Sequence, residues 1–302
     1  MNIPPEIVVL TNTRDLAADD IVRRLSEQHR VLRLNADRPI AEPRWSVSDR
    51  ASTVGAVWWR QFERWPEGRM DGRAIDDLMV NRAQWRAWMA VLDNGHSRWI
   101  NDLWNARRAE NKIEQLRMAN RCGFNVPDTI ITNRSEDARA FAAIGAAVVK
   151  SLASAYFEFS GDGFMYTHNL DDALALSEDE WTAQPVIVQR RVMGDDARVI
   201  VFNGECFGAT CSTTDIDWRV AGSGATWSKW EVPEPLADQC LTYLQSFGLR
   251  YGAFDFILNE NQCWFLEANQ AGEWVFLDRP LKLGIAQALT DYLARLAIGS
   301  AE

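Results

Sequence analysis

Between residues 252 and 269 two apolar runs, GAFDFIL and QCWFLEAN, face each other across a short polar NEN stretch. Runs rich in aromatic and β-branched residues, separated by turn formers, define a β-hairpin. If the turn centres near Asn261, Asp255 and Glu267 each stand six residues from it. In antiparallel pairing such residues lie opposite one another on one face, with Cβ atoms about 4.5–5.5 Å apart. Asn269, two residues beyond Glu267, shares that face. Flanked by Phe254, Phe256, Trp264 and Phe265, a carboxylate pair is costly unless something cationic joins it. Two carboxylates and an amide oxygen on rigid strands suit Mg²⁺, which takes one or two carboxylates together with substrate phosphates. The competing reading is a solvated hairpin face.

Other signals fill in the chain around this hairpin. ARVIVF and ECFGATC flank Asn203-Gly204, a two-residue turn, and form a second hairpin. A helix is expected over about 236–247 and another from Pro280 to Ala297. In the first hundred residues, strands at Ile7–Leu10, Val31–Asn35 and Val54–Arg60 alternate with helices at Ala17–Gln28 and Ile75–Leu92. That order indicates a small α/β unit with a mostly parallel sheet. Its first strand-to-helix turn, TNTRD, has no glycine, so a dinucleotide fingerprint is absent. One helix is expected from Asn101 to Gly123. The middle then reads as an α+β lid: a strand in VPDTIIT, a helix from Ser135, a strand in AAVVKS, a glycine-bearing loop, a short helix around Leu170–Leu176 and a strand in VIVQRRV.

Composition narrows the function. The 302 residues suggest two or three units, and a net charge of −10 argues against binding a phosphate backbone, so no nucleic acid is expected. The N-terminal stretch has no basic n-region and its apolar run is strand-sized, so neither export nor a membrane is expected. Cys122, Cys206, Cys211, Cys240 and Cys263 form no CxxC pair, which fits reduced thiols in a cytoplasm. Lysine is rare: Lys112, Lys150, Lys229 and Lys282 are the only four among 32 basic residues. The two cations are not interchangeable, so a retained lysine hints at a place for a compact ammonium.

Lys150 ends an apolar strand just before the glycine-bearing loop, where it can reach a nucleotide phosphate. Strand-terminal lysines are common, however, and the loop matches no Walker pattern. Lys112 sits mid-helix, where a solvated face competes. In VQRRVMGDDAR the backbone can meet a flat base, and Asp196 can accept hydrogen bonds from ribose hydroxyls or be a plain surface acid.

In this order, Lys112, Lys150, VQRRV, Asp196 to Arg198, FDF and LEAN resemble the ATP-grasp fold over roughly residues 105–300. VWWR (Val57–Arg60), DWR (Asp217–Arg219) and LEANQAGEWVFLD (Leu266–Asp278) are most similar to the microviridin-type, or graspetide, ligases that macrocyclise ribosomal peptides. The resemblance implies an α/β protein, α+β in its ATP-binding parts. It implies an N-terminal α/β domain over 1–104, a central lid over 105–188 and a C-terminal ATP-grasp domain over 189–302. Lys112 and Lys150 would meet ATP phosphates, Gln189, Arg190, Arg191 and Val192 would frame adenine, and Asp196 would hold ribose. Asp255, Glu267 and Asn269 would hold Mg²⁺, two ions in all, with Arg198 and Arg219 by the γ-phosphate and the acyl-phosphate. Arg190 departs from the family, which often has an acidic residue there.

The implied activity activates Asp or Glu side chains of a precursor peptide as acyl-phosphates and closes ω-ester or ω-amide rings. Its partner would be a peptide with a leader and an acidic core, and a homodimer is a further expectation. Two rivals are a ligase adding a free amino acid and a nucleotide-binding sensor without chemistry. Eight of the 14 tryptophans precede Asn105. With Arg60, Arg64 and Arg86 beside them they are expected to help hold a peptide, since aromatics and arginine anchor such interfaces; the alternative is that they are core.

Overall fold

The computed structural model describes residues 6–36, 54–60, 72–93, 97–152, 167–175, 181, 185–212, 218, 225–259 and 262–299. The first unit is a four-stranded parallel sheet of β1 (Ile7–Thr11), β2 (Val31–Asn35), β3 (Ala56–Trp59) and β4 (Arg98–Ile100), in the order β2-β1-β3-β4. Helix α1 (Leu16–Leu25) joins β1 to β2, and α2 (Gly72–Leu92) lies between β3 and β4. Every residue of IVVLT in β1 is buried, as a central parallel strand covered on both faces requires. Asp15 starts α1 by accepting the Ala18 N–H, and Arg23 and Arg24 close its last turn at the negative end of the helix dipole. Three-residue β4 is too short to show a period in sequence.

The single helix expected from Asn101 to Gly123 is instead α3 (Leu103–Ala109) and α4 (Lys112–Arg121). Asn111 explains the break, because its side chain accepts the N–H groups of Ile113 and Glu114 and so starts a new helix. The middle unit follows: β5 (Thr129–Thr132), α5 (Ser135–Ala142), β6 (Ala147–Ser151), β7 (His168–Asn169), α6 (Leu170–Ala173) and β8 (Val186–Arg190). Its sheet runs β5-β8-β6-β7, antiparallel throughout. Ala138, Ala147, Leu170, Trp181 and Val188 give it a core of its own.

The largest sheet, β11-β10-β9-β12-β13, is antiparallel. It comprises β9 (Asp195–Phe202), β10 (Glu205–Ser212), β11 (Thr226–Trp230), β12 (Tyr251–Asn259) and β13 (Gln262–Asn269). Asn203 and Gly204 both have positive φ, 51° and 76°, the type I′ geometry that suits a two-residue hairpin loop. Helix α7 (Glu234–Phe247) connects β11 to β12. The expected closing helix is again two, α8 (Val275–Leu281) and α9 (Ile285–Ile298). Lys282 and Gly284 turn the chain with positive φ, and the Asp278 carboxylate caps α9 by accepting from Ile285 and Ala286.

Both faces of the large sheet and both faces of the N-terminal sheet contribute to two shared cores. One joins Val8, Leu10, Val57 and Trp59 with Val199, Val201, Phe254, Phe256 and the α7 residues Tyr243 and Phe247. The other joins Ile7, Val9, Trp58 and Ile21 with Ile200, Phe202, Tyr251, Trp274 and α9. Each such large apolar side chain contributes roughly 1.5–3 kcal/mol when fully buried. Trp58, Trp59, Trp85 and Trp99 are therefore core residues, the alternative noted above. Trp104 is exposed, whereas Trp45, Trp65 and Arg64 lie outside the described residues. Arg60 does not face a peptide either, being 1% exposed within an ion network described below. β8 runs across the expected 188/189 limit, and α3 packs on α4 and α7 while α4 packs on β13 and α7. Among the described residues no helix is long and apolar enough to cross a membrane.

Candidate active site

The hairpin of β12 and β13 carries Asp255 opposite Glu267, reached through a bulge. Next to the turn the pairs are Asn259 with Gln262 and Phe256 with Phe265; the register then shifts, and Asp255 pairs with Glu267. Leu266 is the extra residue. In an unbroken strand Phe265 and Glu267 would point the same way. The bulge lets Phe265 stay in the core, fully buried, while Glu267 turns to the opposite face.

On the other side Asp255 pairs with Arg198 of β9, so Arg198, Asp255 and Glu267 form one cross-strand row. Arg198 Nη1 lies 3.5 Å from Asp255 Oδ1, and Lys112 Nζ donates to Glu267 Oε2 at 2.6 Å. Lys112 arrives from the start of α4, which is locked on the free edge of β13 by Gln115. The Gln115 side-chain amide donates to Ala268 O at 2.8 Å and accepts from Ala268 N–H at 3.3 Å, acting as a short extra strand. Gly272 closes the far side: a Cβ there would sit 2.4 Å from Ala253 Cβ and 3.0 Å from Arg198 Nη2, so only glycine fits. The Arg198 guanidinium stacks over Phe276, 5.6 Å from the ring centre, and its buried Nε has no hydrogen-bond partner.

Asn269 pairs with Ala253, two residues from Asp255, and so stands on the same face; its Oδ1 accepts the Ala271 N–H at 2.9 Å. Asp196 lies two residues before Arg198 on β9, also on this face, opposite Ile257. Two carboxylates and an amide oxygen are hard donors of the kind Mg²⁺ takes, and each carboxylate already faces a cationic side chain. The residues fit the ion. Among the described residues no three His, Cys, Asp or Glu cluster for a metal, so the third protein donor would be the amide of Asn269.

On the middle sheet Lys150 Nζ donates to Gln189 Oε1 at 2.8 Å, and Gln189 Nε2 donates to Thr129 Oγ1 at 3.0 Å. These two expected nucleotide residues thus share one face. Arg190 does not join them. Adjacent strand residues point to opposite faces, and its guanidinium bonds the carbonyls of Phe141 and Gly145 and lies 4.1 Å over the Phe141 ring. Its side chain is therefore withdrawn from the adenine set, and its departure from the acidic pattern is explained by packing under α5. Arg191 is tied by its N–H to Ala146 O at 2.9 Å, and half-buried Val192 follows in the segment leading to β9. Arg219 and the loop after Lys150, from 153 to 163, lie outside the described residues.

One part of the site was not anticipated. Arg60 bonds Asp15 at 2.8 Å and Glu273 at 2.8 Å, and its Nη1 reaches toward Gly272 O at 3.5 Å, linking the N-terminal sheet to the loop beside Arg198. Burial alone would raise the Asp15 pKa; the Arg60 charge, with bonds from Arg60, Thr11 and Ala18, holds it below the usual range. In sequence, VWWR and GEW are noticed as separate short runs, and nothing local says that they meet.

A small antiparallel sheet joined to a large one that carries a paired-carboxylate row is the ATP-grasp architecture, and this chain has that fold. It is similar over almost its whole length to the macrocyclase MdnC bound with precursor peptide MdnA from Microcystis aeruginosa MRC, with 21% identity, TM-score 0.80, and 96% of this chain and 99% of that one covered. The ATP-grasp ligase PsnB complexed with a phosphomimetic variant of its minimal precursor, Mg and ADP gives 22% identity, TM-score 0.82 and coverage of 98% and 100%. A Chryseobacterium gregarium RiPP-associated ATP-grasp ligase with ADP and a leader and core peptide gives 21% identity, TM-score 0.75 and coverage of 95% and 96%. No family model and no curated protein matches the chain.

Proposed function

We propose that this protein is an ATP-dependent ligase that activates side-chain carboxylates of a precursor peptide and closes them into ω-ester or ω-amide rings. The observation that carries the reading is the Arg198–Asp255–Glu267 row with Lys112, set in a fold shared end to end with ligases solved with precursor peptides and ADP. The partner peptide would carry a leader and an acidic core, a cytoplasmic setting fits the five free thiols, and the chain would act as a homodimer.

Lys150, held by Gln189, and Lys112 offer ammonium groups to the phosphates of ATP, while the backbone from 189 to 192 flanks the base and Asp196 accepts from the ribose. Asp255, Glu267 and Asn269 would hold Mg²⁺, which supplies charge neutralisation to the phosphates when bound. A peptide carboxylate oxygen attacks the γ-phosphorus and ADP leaves, giving a mixed acyl-phosphate. Arg198, rigid against Phe276 and with an unsatisfied donor, faces the charge that develops there, and Arg219 is assigned to the acyl-phosphate. A hydroxyl or amine of the same peptide then attacks the acyl carbon; phosphate departs and the nucleophile gives up its proton.

The test is Asp255→Asn and Glu267→Gln. Each should keep the circular dichroism spectrum and lose ADP formation by at least about a hundredfold, the scale of removing a preorganised electrostatic group. For the parent, mass spectrometry of the peptide should show loss of one water per ring for each ADP made. A folded variant within a few-fold of the parent would remove the metal assignment, and a product heavier by an amino acid would favour the free-amino-acid ligase.

A further inference from the structure

The row of catalytic residues continues past Arg198. Arg198 pairs with Ala209 of β10, and Ala209 pairs with Lys229 of β11. Directly paired residues of neighbouring strands share a face, so Lys229 points to the same side as Arg198, Asp255 and Glu267. Trp227, two residues before Lys229, confirms the direction, since its ring meets Phe276 at 5.7 Å. Between the two cations lies an aromatic floor: Phe276 stacks on Trp218 at 5.0 Å, and Trp218 meets Trp227 edge-on at 5.1 Å. All three rings are partly exposed, whereas Ala209 beneath is fully buried.

Lys229 is exposed and makes no hydrogen bond or ion pair among the described residues. It is one of only four lysines, and two of the other three, Lys112 and Lys150, belong to the site. Its Cα stands two strand spacings, roughly 10 Å, from that of Arg198, a span that about three residues of extended peptide cover.

We propose that Lys229 is a specificity residue that receives a second carboxylate of the peptide, about three residues from the one activated at Arg198, with the intervening chain lying across Trp218, Trp227 and Phe276. This rests on the ligase reading above and adds to it the charge pattern of the substrate.

The probe is a pair of fluorescein-labelled octapeptides in glycine, one with two glutamates three residues apart and one with the second glutamate replaced by glutamine. Both are titrated by anisotropy against the full chain with ADP and Mg²⁺. The parent should prefer the two-carboxylate peptide by about tenfold, the size of one charge-assisted hydrogen bond. Lys229→Met should erase that preference, Lys229→Arg should keep it, and Lys282→Met, which removes an exposed lysine elsewhere, should leave it unchanged. Calorimetric ADP affinity should be the same in all four proteins. No preference in the parent, a preference surviving in Lys229→Met, or an equal loss in Lys282→Met would overturn the proposal. Absence of nucleotide binding by the parent would instead count against the ligase reading itself.

Discussion

Lys150 and Gln189 hold one another on the middle sheet, and Thr129 holds Gln189 in turn, so the ammonium is placed before any nucleotide arrives. Preplacement lowers the ordering cost of binding, which is why removing this lysine should matter more than removing an exposed one. Lys150→Ala should weaken ATP binding by about tenfold or more, and Lys282→Ala should not, as read by calorimetry. Equal losses in both would point to a general charge effect. At this scale much was legible: a turn placed at Asn261 brings Asp255, Glu267 and Asn269 to one face, as observed. The side-chain direction of Arg190 was legible too, because strand alternation against Gln189 assigns it to the other side. Lys229 stayed obscure because β11, five residues of mixed polarity, was not recognisable as a strand.

At the level of elements, α4 depends on one side chain. Gln115 is 2% exposed and bonds both backbone groups of Ala268 and the carbonyl of Ala109. Gln115→Ala would leave those groups buried without partners and should destabilise the protein by about 2–4 kcal/mol, measured by urea denaturation. Because Lys112 rides on the same helix, the ATP affinity of the folded fraction should fall as well; unchanged stability would show that α4 is held by apolar packing instead. The elements themselves followed from period and turn chemistry where they are long. Both helix breaks were missed because Asn111 and Asp278 act by capping, a side-chain effect that apolar periodicity does not register. The bulge at Leu266 was equally invisible: placing the turn at Asn261 gives the observed Asp255–Glu267 pair, but only because the extra residue offsets a turn centred between 260 and 261.

Across the whole molecule, Arg60 ties the N-terminal sheet to the loop at Gly272 and Glu273. Arg60→Met would leave Asp15 buried without its cation and should cost about 3–5 kcal/mol. Asp15 has a folded pKa below its unfolded one, so its contribution is full above the unfolded carboxylate range and is lost as pH falls through the folded value. The stability gap between the parent and Asp15→Asn should therefore hold at neutral pH and narrow below about pH 4. Urea midpoints across that range read it; a gap that widened toward acid would contradict the assignment.

The separate core of the middle unit has a mechanical consequence. The N-terminal and C-terminal sheets share two interiors and one buried ion network, which join them into one packed unit. Among the described residues the middle sheet shares neither interior, and the chain enters it through the stretch before β5 and leaves it through residues 191 to 194. Among the described residues, a tilt of this sheet would leave the contacts inside the two larger cores in place. Lys150 and Gln189 travel with it while Lys112, Arg198 and the carboxylates stay behind, so a nucleotide gripped by both sets of residues fixes an angle between two bodies.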